Sequence, residues 1–201
     1  MRDVRLCVFG DALVTGFGDP KALGWVGRVT ARTPPSTGIA LTAYPLGVRG
    51  ESIEDIVVRM PLESASRFAR GDEHRIVLAP GVVDAERNVP AARAAAALDF
   101  GLAATGVPRL VVGPPPLGDD ALRERVAELD AAYAATCERL GVPYIATFAP
   151  LNGRKPWHDA RTEDGHPNQT GYGLLTRVIL DGGWYEWLDV EPPRRGTSSG
   201  H

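Results

Sequence analysis

Val4-Arg5-Leu6-Cys7-Val8-Phe9-Gly10-Asp11-Ala12-Leu13 opens on a short, β-rich apolar run that stops at a glycine. It reads as a buried strand from Val4 to Phe9. A helix is expected next, around Ala22 to Arg32, closed by Pro34-Pro35. Ile39 to Tyr44 reads as a second strand, Ile53 to Phe68 as a partly helical crossover, and Arg75 to Leu78 as a third strand ending at Pro80-Gly81. Alanine-rich Ala91 to Ala104, followed by Gly106, suits a helix with its C-terminal cap.

Leu110 to Val112 gives a fourth strand, running into Gly113-Pro114-Pro115-Pro116. Leu122, Val126, Leu129, Tyr133, Cys137 and Leu140 then recur at helical spacing, with Asp119 or Asp120 to cap the start and Gly141 the end. Pro143 to Ala146 is a fifth strand and Gly173 to Leu180 a final helix. Alternating strands and helices call for a parallel sheet covered on both faces. Ligands of such sheets sit beyond the C-terminal strand ends, where Asp11-Ala12, Gly50 and Gly81 to Asp84 all fall.

With 201 residues, 44% apolar and 23% charged, the chain is expected to be one domain over residues 1–190, with a disordered tail at 191–201. The net charge of -3 recruits neither nucleic acid nor an acidic membrane surface. No stretch approaches the roughly 20 apolar residues of a membrane span, and no leader pattern precedes the first strand, so a cytoplasmic location is expected. Cys7 and Cys137 read as inert core thiols, and His74, His158 and His201 show no metal spacing. Trp184, Tyr185 and Trp187 are expected to pack the C-terminal segment onto the body. Lys21 stands where the third glycine of a dinucleotide loop would fall, which removes that reading of Gly16 and Gly18.

Phe9-Gly10-Asp11-Ala12-Leu13, Gly50-Glu51-Ser52, Gly81-Val82-Val83-Asp84 and Glu163-Asp164-Gly165-His166-Pro167-Asn168 together resemble the signature blocks of the SGNH/GDSL hydrolase family. Phe17-Gly18-Asp19-Pro20 and Gly24-Trp25 extend a resemblance that runs from about Leu6 to Tyr172. It implies a three-layer α/β/α sandwich, flavodoxin-like, with about five parallel strands, and hydrolysis of small esters or acyl groups through an acyl-enzyme, without metal or cofactor. The family's nucleophilic serine falls on Ala12, its oxyanion glycine on Gly50, its oxyanion asparagine on Val83 and its base on His166. The acid three residues before the base falls on Glu163, with Asp164 or Asp159 as alternatives if the loop is shortened.

Alanine has no lone pair to attack a carbonyl, and valine no hydrogen bond to donate, so the resemblance implies a silent or impaired hydrolase that could still bind a small acyl or ester ligand. An alanine alone is what a ligand-trapping substitution leaves; valine is not, and two losses fit drift or repurposing better. A binding module and catalysis by His166 without a serine adduct are the alternatives. Asp11 and Asp84 are read as supports that cap a helix or hold a loop. Trp25, Arg49 and Pro114 to Pro116 are expected to border the pocket.

Overall fold

The computed structural model describes residues 1–193. In chain order it comprises β1 (Arg2–Gly10), α1 (Ala12–Thr15), α2 (Gly24–Ala31), β2 (Ile39–Gly47), α3 (Ile53–Arg67), β3 (Glu73–Ala79), α4 (Val83–Glu86) and α5 (Ala91–Ala103). Then follow β4 (Arg109–Val112), α6 (Asp120–Leu140), β5 (Tyr144–Ile145), α7 (Phe148–Leu151), α8 (Lys155–Asp159), α9 (Gln169–Ile179) and, after a wide turn, α10 (Tyr185–Trp187). The strands form one parallel sheet in the order β2-β1-β3-β4-β5. Leu6, Cys7, Val8 and Phe9 of β1 are all fully buried. Successive strand side chains point to opposite faces, so consecutive burial means that helices cover the sheet on both sides.

Gly10 pairs with Gly47 of β2 and with Ala79 of β3, so three strands end at one level. The chain order reverses between β1 and β3, and crevices at such points hold the ligands of doubly wound sheets. Burial pushes the thiols of both Cys7 and Cys137 up to about 12, as inert core positions require. Trp184 is buried and donates its indole N–H to Thr33 Oγ1 at 3.0 Å, while Tyr185 donates its hydroxyl to the Arg32 carbonyl at 2.7 Å, which packs the C-terminal segment onto α2.

The final helix begins four residues earlier than expected, because Asn168 caps it by accepting from the amides of Thr170 and Gly171. Its first turn is polar, so apolar periodicity alone misplaces the start. The single-turn helices α1, α4, α7 and α8 are too short for any periodicity to register. Glu191 to Pro193 have no regular structure, and the rest of the expected tail, 194–201, lies outside the described residues. No helix among the described residues is long and apolar enough to cross a membrane.

The loop between α1 and α2 is folded around Asp19, whose side chain is fully buried in an ion pair with Arg28. Its carboxylate also accepts from the amides of Lys21, Leu23 and Gly24 at 3.1, 3.2 and 3.0 Å. The Arg28 guanidinium and these amides hold the Asp19 carboxyl down at about 2. An acid with a depressed pKa stabilises the fold fully above its unfolded value and loses that contribution as pH falls through the folded one. Asp19→Asn strands the Arg28 charge and is expected to cost about 3 kcal/mol near neutral pH, by urea denaturation. The gap to the unsubstituted protein should close as the pH drops from about 4 towards 2; a gap independent of pH would contradict the ion-pair account.

Candidate functional site

Beyond Gly10 the chain turns into α1 under the control of Asp11, which is 2% exposed. Asp11 Oδ1 accepts from the Leu13 amide at 2.9 Å, capping the helix. The other oxygen presses on the chain after β3: a Cβ added to Gly81 would lie 1.8 Å from Asp11 Oδ2. Only glycine fits beneath this carboxylate, and the contact ties the ends of β1 and β3 together. Ala12 is the first residue of α1, and its N–H has no acceptor among the described residues.

The Gly50 loop is brought alongside by two contacts. Val48 N–H donates to the Gly10 carbonyl at 3.0 Å, and Arg59 reaches back from α3 to bond Gly10 O, Leu46 O and Glu51. Gly50 sits at φ +82°, a conformation that side chains disfavour, and its N–H also has no acceptor among the described residues. Asp84 Oδ2 accepts from the Ile53 amide at 2.9 Å, joining the turn that holds Val83 to the start of α3. Burial raises the Asp84 carboxyl, and burial together with the facing Asp84 raises the Tyr133 phenol. Val83 opens α4 and is buried, a hydrocarbon with no hydrogen bond to donate from its side chain.

His166 joins through the loop between α1 and α2. Its ring meets the Phe17 ring edge-on, with centroids 4.8 Å apart, and the Phe17 amide donates to the Ala12 carbonyl at 3.1 Å. The Tyr172 hydroxyl donates to the Phe17 carbonyl at 2.8 Å, and the Arg49 guanidinium lies 3.5 Å from the Phe17 ring centroid. Phe17 is thus the hub between the imidazole, Ala12 and the Gly50 loop. Contacts therefore link the segments of Ala12, Arg49-Gly50 and His166 through Phe17, while Asp84 ties the turn of Val83 to the start of α3.

The carboxylate beside His166 is that of Asp164, not Glu163. Asp164 Oδ2 is 3.7 Å from His166 Nδ1, whereas Glu163 makes no ion pair with it. Gly165 N–H donates to the Thr162 carbonyl, a tight turn that turns Glu163 out into solvent. Asp159 is paired with Lys155 at 2.7 Å. The Thr162 hydroxyl bond lowers the Asp164 carboxyl. At 3.7 Å the Asp164 carboxylate lies beyond hydrogen-bond distance, and the nearly inaccessible His166 Nδ1 has no hydrogen-bond partner among the described residues.

Trp25 and Pro114 to Pro116 do not border an open pocket, because all are buried. The Pro116 carbonyl accepts from Trp157 Nε1 at 2.8 Å and from Arg161 at 2.9 Å, which makes that loop a structural anchor. Arg49 is exposed. Cavities of about 690 Å³, beside Arg32 and Tyr185, and about 370 Å³, beside Leu151 and Val178, include no residue of the crevice. Among the described residues no cluster of three or more His, Cys, Asp or Glu side chains could hold a metal ion.

Residues 8–174 match the model of the GDSL-like lipase/acylhydrolase family. The fold is similar to that of a lipase/acylhydrolase from Enterococcus faecalis, with a TM-score of 0.73 and 22% identity over 97% of this chain and 100% of that one. It is also similar to Axe2, an acetylxylan esterase from Geobacillus stearothermophilus (TM-score 0.70, 18% identity, 92% and 95% covered). A third similar structure is Est24, a carbohydrate acetylesterase from Sinorhizobium meliloti (TM-score 0.64, 19% identity, 90% and 97% covered). No protein of curated function matches the sequence.

Burial raises the Asp11 carboxyl from 3.8 to about 7. Between those values the unfolded chain has lost a proton that the folded protein keeps, so this group makes stability fall as pH rises through that window. Asp11→Asn keeps an oxygen for the Leu13 amide and removes the titration. Its stability relative to the unsubstituted protein should therefore improve from about pH 5 to pH 8 in denaturant titrations, and a constant difference would contradict the assignment.

Proposed function

The chain belongs to the GDSL-like lipase/acylhydrolase family, and from that premise we propose that it binds small acyl or ester ligands in the crevice without turning them over by a serine mechanism. The observation that carries this reading is the methyl group of Ala12, on the first turn beyond β1, where the family's serine would stand. In a serine mechanism the imidazole takes the hydroxyl proton as oxygen attacks the acyl carbon, and the amides around the nucleophile hold the oxyanion. Here there is no hydroxyl to deprotonate. Loss of the serine in a triad typically costs on the order of a millionfold in turnover.

The binding half of the apparatus survives better than the reactive half. Ala12 N–H and Gly50 N–H have no acceptor among the described residues, and Arg49 and His166 both contact Phe17. Val83 removes one donor, worth roughly 3 to 4 kcal/mol to an oxyanion and much less to a neutral carbonyl. A ligand's ground-state ester or acid is therefore held with less loss than its transition state. His166, partly exposed and with Nδ1 unpaired, favours one second reading, acid/base chemistry on a bound substrate with no covalent adduct.

Fluorophosphonate labelling read by intact mass, together with p-nitrophenyl acetate hydrolysis, separates these readings. The protein should remain unlabelled and hydrolyse no faster than buffer. Ala12→Ser should acquire the label, and Ala12→Ser combined with Val83→Asn should raise kcat over the single change by roughly 10²- to 10³-fold. Labelling of the unsubstituted protein would overturn the proposal. Rapid hydrolysis without label, abolished by His166→Ala, would establish the second reading instead.

A further inference from the structure

We infer that Arg49 selects the ligands of this site by charge, so that the acyl ligand carries a second, anionic group, as the half-ester of a short dicarboxylic acid does. The inference rests on the proposal that the site holds acyl ligands and adds their class. Among the described residues five arginines lie over an aromatic ring: Arg49 on Phe17, Arg59 on Phe9, Arg67 on Tyr44, Arg75 on Trp187 and Arg161 on Trp157. Four of them also donate to backbone carbonyls, which explains their positions by the fold alone. Arg49 lies closest to its ring, at 3.5 Å from the centroid, yet among the described residues it makes no side-chain hydrogen bond and no ion pair. The Asp164 carboxyl, lowered first by the Thr162 hydroxyl and more weakly by the charges of His166 and Arg49, gives its hydrogen bond to Thr162.

A guanidinium at van der Waals distance from a ring centroid lies flat on the ring, which takes up its face and leaves its edge free. That edge is the part that binds a carboxylate through two parallel, charge-assisted hydrogen bonds. The stack also fixes the group in advance, so little freedom remains to be lost when an anion binds. Phe17 places this edge beside the acyl site. Its amide donates to the Ala12 carbonyl at 3.1 Å, its ring lies 4.8 Å from that of His166, and Arg49 directly precedes Gly50 in the chain. The guanidinium carbon is therefore no further from the imidazole than these two ring distances laid end to end, a span that a short diacid covers. Arg49 and Gly50 are both exposed, so a ligand reaches them from solvent.

Amide NMR titration with monomethyl succinate and with dimethyl succinate tests the inference, since the two differ by one charge and one methyl group. The anionic half-ester should bind about fivefold more tightly than the neutral diester, with shifts at the Ala12 and Gly50 amides. The preference should shrink as sodium chloride is raised from about 20 mM to about 500 mM, because salt screens an exposed charge. Arg49→Gln should abolish it, and Arg49→Lys, which keeps the charge without the flat fork, should retain only part of it. Arg49 is exposed, so circular dichroism should be unaltered by either change, and the salt series on the unsubstituted protein decides the matter independently of them. Equal affinity for the two esters, a preference indifferent to salt, a preference that survives Arg49→Gln, or shifts that bypass Ala12 and Gly50 would each overturn the inference and leave the acyl site standing. Failure of both esters to bind would overturn it together with the proposal on which it rests.

Discussion

A protonatable carboxylate with almost no freedom of position sits at the centre of this architecture. Asp11 caps α1 through the Leu13 amide, and its second oxygen lies on Gly81, where no side chain could fit. It thereby locks the exits of β1 and β3, the strands between which the order of the parallel sheet reverses. The position of Ala12 follows from the cap, and the path of the turn through Val83 follows from the contact with Gly81. Asp84, carried by that turn, then bonds the Ile53 amide and fixes the loop before α3 that contains Gly50. A single buried acid thus sets the spacing of segments far apart in sequence.

Two further anchors complete the frame, and both are ionic. Asp19 and Arg28 fold the loop that carries Phe17 and Gly18 against His166 and Pro167. Arg59 collects the Gly10 carbonyl at the end of β1, the Leu46 carbonyl near the end of β2 and the Glu51 carboxylate, which holds the Gly50 loop at the level of the sheet edge. Buried ion pairs of this kind contribute modest net stability, because desolvation offsets most of the attraction. What they supply is position: each directs a loop to one place, and removing one partner strands the other charge.

The sheet was legible in the sequence because its strands are covered on both faces, which leaves uninterrupted apolar runs such as Leu6 to Phe9. The longest helix, α6, was legible for the complementary reason, a one-sided stripe bracketed by Asp119 and Gly141. The placement of Asp11-Ala12, Gly50 and Val83 in the segments that follow β1, β2 and β3 was legible from strand order, since parallel strands deliver their exits to one edge. Spacing failed where a turn intervened: counting three residues back from His166 lands on Glu163, yet the Thr162 to Gly165 turn presents Asp164. Arg59 and Phe17 were missed as organisers for a different reason. Their roles depend on contacts between distant segments, and nothing local distinguishes Arg59 from the other nineteen arginines. Trp25 was misread as a wall because an aromatic beside a site looks the same in sequence whether it faces ligand or core.

Features near the crevice divide according to whether the fold itself accounts for them. Asp11, Asp84, Asp19, Arg28 and Arg59 are all engaged in bonds that hold the chain in place, so their presence carries no information about turnover. A scaffold that had lost every ligand would still need them. The unpaired amides of Ala12 and Gly50, the orphaned Nδ1 of His166 and the Arg49 guanidinium stacked on Phe17 belong to a different class. Gly50 and Arg49 are exposed, so water can satisfy them, whereas the buried Nδ1 of His166 has no partner among the described residues and is tolerated only at some cost. The side chains of Ala12 and Val83, by contrast, are hydrocarbon and can neither attack a carbonyl nor donate a hydrogen bond, and on that contrast the proposal of ligand binding without serine turnover rests.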